Sequence, residues 1–250
     1  MKSIFGIPIE GFSMNETLHR IDEAHEPMWI VTANPEILLA ARRDPAYAET
    51  LRRAHMRLVD GFGLWFLLRF FGHHTKRVTG VMLAEALIQE SVQQNWNVAF
   101  VGGAQGIAVA AAEKTRRVYP SIRLHAEYGG AVASDGSDDA EGLEARHRLQ
   151  QCTPEILFVA FGHPKQEQWI EKHLQEFPSV QAVIGIGGTL DYWAGIKTRA
   201  PTWMRSIGLE WMWRLMLEPK RWKRIWDAVV VFPIVAVYSR LRPISTIPPS

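Results

Sequence analysis

The chain of 250 residues contains almost no cysteine, since Cys152 is the only one. A single cysteine excludes an intramolecular disulfide and provides no cluster of thiolates for a metal ion. The reducing cytosol is therefore the compartment that we expect for this protein.

Long hydrophobic runs are missing too. The longest uncharged apolar run covers residues 228–238 and includes Pro233, whereas a helix needs about 20 residues to cross a bilayer. Near the amino terminus, Gly6, Pro8 and Glu10 interrupt the apolar stretch, so we predict no signal peptide. Both absences predict a cytoplasmic chain without a transmembrane helix.

Motifs for metal binding and for dinucleotide binding are also absent. No Asp-x-Asp triplet occurs, and the nine histidines form no pair with the spacing of metal ligands on a helix. Residues 102–106, Gly-Gly-Ala-Gln-Gly, lack the Gly-x-Gly-x-x-Gly spacing of a dinucleotide-binding fingerprint. We therefore predict no protein-bound metal and no cofactor, and the sequence disfavours a Rossmann oxidoreductase.

The positive charge of the chain is concentrated near its carboxyl end. The formal net charge is only +2. Residues 197–242 hold ten Lys or Arg and three Asp or Glu, so this segment carries +7 and the rest of the chain −5. This division predicts a body over residues 1–196 and a basic appendage over residues 197–250 that contacts an anionic surface.

The appendage contains a helical segment with two chemically different faces. The apolar face comprises Trp222, Ile225, Trp226, Val229 and Val230, and the basic face comprises Lys220, Arg221, Lys223 and Arg224. Tryptophan opposite lysine and arginine is typical of a helix in the membrane interface. The alternatives are a helix docked on the body with its tryptophans in the core, and nucleic-acid binding, which the acidic body disfavours. Exposed apolar residues would also permit a homo-oligomer.

The body alternates strand-like and helical segments. Ser13 and Glu16 have the spacing of a capping box, and Asp44-Pro45 is typical of a helix start. Strands are predicted at residues 28–32, 57–59, 97–101, 122–126, 156–161 and 180–186. This alternation predicts an α/β fold with a mainly parallel sheet, helices on both faces and a helical appendage at the carboxyl end.

Most of the predicted strands end in glycine or polar residues, and such ends meet at one edge of a parallel sheet. Asp60 follows one strand and has the position of a general base, although an Asp-Gly pair is more often only a turn. Gly102 and Gly103 either present backbone N–H groups to a phosphate or form a tight turn. Gln166 can both donate and accept hydrogen bonds, which suits a substrate contact.

An ordered set of motifs carries a family resemblance over about residues 3 to 227. The motifs are Thr32-Ala33-Asn34-Pro35, residues 58–63, Arg77-Val78-Thr79-Gly80, residues 100–103, residues 162–167, residues 185–188, Arg199-Ala200-Pro201, residues 208–211 and residues 218–221. Together they resemble the WecG/TagA/CpsF glycosyltransferases, glycosyltransferase family 26. Each motif is weak alone, and the ordered set is specific.

This resemblance implies an inverting glycosyltransferase with a Rossmann-like body. The implied donor is a UDP-sugar that carries N-acetylmannosamine, its uronic acid or glucose. The implied acceptor is a polyprenyl-diphosphate-linked saccharide of cell-envelope or exopolysaccharide synthesis, such as one on undecaprenyl diphosphate. The implied location is the inner face of the cell membrane, where the enzyme is peripheral and its appendage meets anionic lipid. The alternative is a catalytically inactive Rossmann-like scaffold that the basic tail recruits to membranes.

The same resemblance assigns roles to single residues. Asp60 matches the proposed general base of the family. Positions around the donor sugar and phosphates are matched by Thr32, Asn34, Arg77 and Gln166. Arginines of the appendage that approach the diphosphates are matched by Arg214, Arg221 and Arg224.

Overall fold

A computed structural model describes residues 3–241 of the protein. A six-stranded parallel sheet has the strand order β4-β3-β8-β7-β5-β6. Its strands are β3 (Met28–Ala33), β4 (Met56–Val59), β5 (Asn97–Gly102), β6 (Arg123–Glu127), β7 (Ile156–Ala160) and β8 (Ala182–Gly185). A short antiparallel hairpin, β1 (Ser3–Ile4) and β2 (Ile7–Pro8), precedes the sheet. The predicted α/β fold with a parallel sheet is confirmed.

The sheet is parallel because its strands can be buried on both faces. Every residue of β7 is buried. Side chains alternate between the two faces of a strand, so Leu157 and Val159 join one core cluster, whereas Ile156 and Phe158 join the other. Helices cover both clusters and shield them from water.

Nine helices of the body connect or flank the strands within the described residues. They are α1 (Met14–Asp22), α2 (Pro35–Arg43), α3 (Pro45–Arg53), α4 (Phe62–Phe70), α5 (Gly80–Gln94), α6 (Ile107–Val118), α7 (Ala140–Gln151), α8 (Lys165–His173) and α9 (Thr189–Trp193). A 3-10 turn, Leu174–Glu176, extends α8. The capping box between Ser13 and Glu16 is present, and Asp44 caps α3 with its side chain. Both predicted helix starts are confirmed.

Helix α4 was not predicted from the sequence. Its N-cap is Gly61, which has a φ of +79° and makes no side-chain capping bond. Its residues, FGLWFLLRF, are apolar on nearly every side, so the spacing of polar residues that marks a surface helix is absent. The helix forms because Leu64, Leu67 and Leu68 are buried in the core.

The appendage folds as a series of helical segments. They are α10 (Thr202–Ser206), α11 (Glu210–Leu217), a 3-10 turn (Pro219–Arg221), α12 (Trp222–Trp226), a π-helical turn (Asp227–Val231) and α13 (Phe232–Leu241). Pro233 explains the π-helical turn, because proline cannot donate the α-helical bond to the carbonyl four residues earlier and its ring widens the preceding turn. The N–H of Phe232 accordingly donates to the carbonyl of Asp227.

The appendage packs on the body instead of standing apart from it. Phe232 and Ala236 are buried in the same core cluster as one face of the sheet. Arg43 Nη2 lies 2.9 Å from Asp227 Oδ2, and the rings of Phe5 and Phe232 meet edge to face. The division into two units at residue 196 stays a prediction, since these contacts join the two parts closely.

The predicted apolar face of the tail helix is split between body and solvent. Ile225 is buried, whereas Trp222 and Trp226 are 57% and 56% exposed. The alternative of a helix docked on the body is confirmed in its docking, which uses Ile225, Phe232 and Ala236, and is wrong in placing these two tryptophans in the core. Within residues 3–241, no helix has both the length and the apolar character needed to cross a bilayer. The end of the tail, residues 242–250, lies outside the described residues.

Candidate active site

A cavity of about 610 Å³ lies where β3 and β4 end and where the appendage covers the sheet edge. The body contributes polar residues that follow these two strands, and the appendage contributes arginines. Its main polar lining residues are Asn34, Asp60, Arg77, Arg199, Arg205 and Arg214. The structure thus brings four of the predicted site residues together, namely Asp60, Asn34, Arg77 and Arg214.

The carboxylate of Asp60 is held by the start of a helix. Its Oδ2 accepts a hydrogen bond of 3.2 Å from the N–H of Gly80, the first residue of α5. Burial raises the pKa of Asp60 to about 6, although the Gly80 hydrogen bond and the charge of Arg214 act in the opposite direction. A carboxylate with this pKa is ionised at neutral pH and takes up a proton readily, as a general base must.

Gly80 and Thr32 explain how the helix comes so close to Asp60. A Cβ atom at position 80 would lie 3.0 Å from Thr32 Oγ1, which is tighter than ordinary packing. Thr32 itself is buried and is not part of the cavity wall. The structure therefore places Thr32 next to Gly80, whose N–H donates to the carboxylate of Asp60.

Asn34 lines the cavity, but its side chain also caps α2. The side-chain oxygen of Asn34 accepts the N–H of Ile37 at 3.0 Å. Since the oxygen is engaged, the amide NH₂ is the end that can reach a ligand. The β3 strand ends at Ala33, directly before this residue, so the sheet fixes its position.

The arginines of the cavity retain unused hydrogen-bond donors. The Nε atoms of Arg199, Arg205 and Arg214 are buried and have no partner among the described residues. Buried donors of this kind are rare unless a ligand or water satisfies them, and guanidinium groups form strong paired bonds with phosphate. The arrangement is suited to a diphosphate.

Each of these arginines also has a side-chain contact that fixes it. Arg205 Nη2 donates to Thr202 Oγ1 at 3.1 Å. Arg214 Nη2 donates to Glu210 Oε1 at 2.9 Å, and Arg199 Nη1 lies 3.5 Å from Glu85 Oε1. Arg77 Nη2 donates to the carbonyl of Arg205 at 3.4 Å, which ties the body to α10. The guanidinium groups are thereby positioned before any ligand arrives.

Sequence reasoning gave no role to Arg199 or Arg205. Arg199 was part of a quoted motif, Arg199-Ala200-Pro201, which was a usable signal. Arg205 belongs only to the general excess of positive charge in the appendage. Its place in the cavity depends on how α10 docks, which no local pattern encodes.

Two of the predicted appendage arginines lie outside the cavity wall. Arg224 Nε donates to Glu36 Oε2 at 2.8 Å, and its Nη2 lies 3.2 Å from His163 Nε2. Arg221 is paired with Glu218. Since Glu36 lines the cavity, Arg224 contacts the cavity wall through this carboxylate. The roles assigned to these two arginines stay predictions.

Gln166 is enclosed in a buried network and is not part of the cavity wall. Its Nε2 donates to Glu167 Oε1 at 2.7 Å, and its Oε1 accepts the N–H of Gly187 at 3.1 Å. Tyr47 donates its hydroxyl to Glu167 Oε2 at 3.0 Å. Burial raises the pKa of Glu167 to about 7, against the opposing hydrogen bonds from Gln166 and Tyr47. Glu167 lies in the first turn of α8, and its side chain is buried in the interior.

Gly102 and Gly103 lie at the same sheet edge but away from Asp60. The end of β5 is four strand positions from that of β4, or about 19 Å at the usual spacing. The N–H of Gly103 donates to the carbonyl of Ala160 at 3.0 Å. A Cβ at Gly102 would lie 2.8 Å from the carbonyl carbon of Ala160, so close packing already requires this glycine. Phosphate binding there stays a prediction.

Across the described part of the chain, residues 3–241, no three His, Cys, Asp or Glu side chains come together in a way that could hold a metal ion.

Comparisons with known proteins give one consistent result. The model of the family described as "Glycosyl transferase WecG/TagA/CpsF family" matches residues 2–245. Three curated relatives share the name N-acetylglucosaminyldiphosphoundecaprenol N-acetyl-beta-D-mannosaminyltransferase. The relative from Bacillus spizizenii is 35% identical over 198 residues, which are 79% of this chain and 74% of the relative. The relative from Bacillus subtilis is 32% identical over 197 residues, 78% and 74% of the two chains. The relative from Staphylococcus aureus is 29% identical over 232 residues, 89% and 85% of the two chains.

Proposed function

Because the chain belongs to the WecG/TagA/CpsF family of glycosyl transferases, we propose that it moves a hexose from a UDP-sugar to a polyprenyl-diphosphate-linked saccharide. For the transferred sugar we propose N-acetylmannosamine, because the relatives' names specify N-acetylmannosaminyl transfer to a diphosphoundecaprenol-linked sugar. The observation that carries the proposal is that the carboxylate of Asp60, whose pKa is raised to about 6, lines one cavity with arginines whose buried Nε atoms have no partner among the described residues.

The proposed reaction is a single displacement with inversion. A hydroxyl oxygen of the acceptor sugar attacks the anomeric carbon of the donor and forms the new C–O bond. The bond from that carbon to the diphosphate breaks, and its electron pair leaves with UDP. Asp60 removes the proton of the attacking hydroxyl, a role that typically accelerates a reaction by about 10²–10⁴-fold.

The arginines supply the charge that the departing diphosphate needs. Arg77 comes from the body, and Arg199, Arg205 and Arg214 come from the appendage. Preorganised cations near a developing negative charge stabilise the transition state because they need no reorganisation when the bond breaks. A site assembled from both parts would be incomplete without the appendage.

The appendage also suits a peripheral position on the membrane. Trp203, Trp222 and Trp226 are more than half exposed, and tryptophan prefers the interface between lipid and water. Basic residues of the same segment would meet anionic lipid, with a gain of about 1 kcal/mol for each one near the surface. We propose that the enzyme works at the inner face of the cell membrane.

The proposal is tested with a panel of UDP-sugars and a short-chain prenyl-diphosphate-linked N-acetylglucosamine, with and without EDTA. We expect transfer from UDP-N-acetylmannosamine, an anomeric configuration opposite to that of the donor, and loss of turnover in Asp60→Asn. If neither transfer nor donor hydrolysis occurs with any UDP-sugar, the inactive scaffold becomes the better description.

A further inference from the structure

The cavity has an apolar half that the proposed chemistry leaves unused. Its wall consists of side chains of α4 and of the segment from α12 to α13, chiefly Phe62, Phe66, Phe70, Ile225, Val229 and Pro233. We call this half the apolar wing. We propose that the apolar wing binds the first isoprene units of the acceptor's polyprenyl chain, a subsite that rests on the proposed function and adds to it.

One wall of the wing begins beside the catalytic carboxylate. Phe62, Phe66 and Phe70 follow one another at four-residue spacing, so they lie on one side of α4. Only Gly61 separates Phe62 from Asp60. The aromatic stripe therefore starts next to the site of transfer and leads away from it for about 12 Å along the helix.

The opposite wall runs alongside. Ala228, Val229, Pro233 and Val237 line the cavity and recur at roughly helical spacing. A Cβ at Gly63 would lie 3.9 Å from the carbonyl oxygen of Ala228, so the start of α4 lies against the π-helical turn. At the far end, the guanidinium of Arg240 lies 4.6 Å from the ring centroid of Phe71. The two helical segments are therefore side by side in the same direction and enclose a trough.

The order of polarity along the cavity matches one kind of ligand. Guanidinium groups lie at the end with Asp60, and hydrocarbon side chains line the other end. A sugar diphosphate joined to an isoprenoid chain has the same order. Apolar pockets that adjoin a few convergent polar groups are typical of ligand sites, and a prenyl chain gains free energy from each methylene that leaves water.

The far end of the wing continues into exposed apolar surface. Phe66 and Phe70 are 58% and 70% exposed although they line the cavity, and Ile234 of α13 is 64% exposed. Contiguous exposed apolar residues mark a surface that meets lipid or protein. A chain anchored in the bilayer would enter the trough from this side, with its diphosphate leading toward the arginines.

The test is a binding measurement on the full-length protein that does not depend on sugar transfer. Calorimetry compares farnesyl diphosphate with inorganic diphosphate. The wild type should bind farnesyl diphosphate at least about tenfold more tightly, since several methylene and methyl groups are buried. Phe66→Ser removes part of one wall and Ala228→Trp fills the trough from the other. Both should reduce this preference several-fold.

The matched control is Val118→Ser, a change of the same kind at an exposed apolar side chain at the end of α6, outside the cavity wall; it should keep the wild-type preference. Equal affinity of the wild type for the two ligands overturns the proposal. So does an unchanged preference in both wing variants. If the wild type shows no prenyl preference and forms a dimer, the wing is covered by a second copy. If the wild type prefers farnesyl diphosphate but transfers no sugar, the result contradicts the proposed function and still supports the prenyl subsite.

Discussion

Replacing Asp60 by asparagine should stabilise the protein while it removes turnover. Burial raises the pKa of this carboxyl from 3.8 to about 6. At about 1.4 kcal/mol per pKa unit, the ionised carboxylate costs the folded state about 3 kcal/mol at pH 7.5. A neutral amide of the same shape avoids that cost. For a chain of this size the gain corresponds to a rise in Tm of roughly 6 to 12 °C as an upper limit.

The raised pKa of Asp60 also predicts how the stabilisation by Asp60→Asn varies with pH. The folded state binds the proton of Asp60 more tightly than the unfolded state does, because the pKa is higher in the folded state. The free-energy cost of the ionised carboxylate to the folded state therefore reaches its full value above about pH 6 and disappears as the pH falls toward 3.8. The difference in Tm between Asp60→Asn and wild type should be largest at pH 7.5 and shrink toward zero near pH 4.

Thermal unfolding at several pH values measures this difference, and a transfer assay measures kcat on the same samples. The control is Asp44→Asn, the same chemical change at the exposed N-cap of α3, where asparagine caps as well as aspartate. If Asp60→Asn is no more stable than the wild type at pH 7.5, Asp60 is not a buried ionised carboxylate. The same follows if the gain in Tm is as large at pH 4 as at pH 7.5. Turnover within a few-fold of wild type would refute its role as the base.

Three further predictions concern Gly80, Arg205 and the buried Glu167. Gly80→Ala should displace the helix start, weaken the bond to Asp60 and shift the acidic limb of the pH–kcat profile to higher pH; an unshifted limb would contradict this role of the bond. Arg205→Ala should weaken diphosphate binding about ten- to a hundredfold, as expected for a lost charged hydrogen bond. Arg117→Ala, on the exposed side of α6, is the control and should leave diphosphate binding unchanged. Calorimetry measures the affinity of both variants. Glu167→Gln should raise Tm more at pH 8 than at pH 5, because the pKa of Glu167 is raised to about 7 and its ionised form is the costly one; an equal change at both pH values would speak against a buried titrating carboxyl.

Local chemistry was enough to predict most of the body. The capping box at Ser13, the N-cap at Asp44 and the all-buried strand at residues 156–160 each depend on neighbours in sequence. Helix α4 could not be predicted, since it has neither a polar cap nor a polar face and is held by tertiary burial. Its aromatic stripe forms half of the apolar wing, so the wing could not be foreseen either.

The predicted site residues differ in how far they depend on long-range packing. Asp60 and Asn34 follow adjacent strands, so the parallel register brings them together. Gln166 and Gly103 also follow strands, but their hydrogen bonds are used within the protein. The arginines of the appendage depend on docking over a long sequence separation. The family resemblance selected Arg214, which lines the cavity, and assigned no role to Arg205, which lines it too.

The forces that dock the appendage determine how firmly its arginines are held. The ion pairs to the body, such as Arg43 with Asp227, are largely exposed, and exposed pairs contribute about 0–1 kcal/mol each. Complete burial of Phe232 contributes about 1.5–3 kcal/mol, and Ile225 and Ala236 add to it. Apolar contact thus dominates the docking, while the buried Nε atoms of Arg199, Arg205 and Arg214 have no partner within residues 3–241. The fold holds these cations in place by hydrophobic packing and leaves their hydrogen bonds for an anionic ligand.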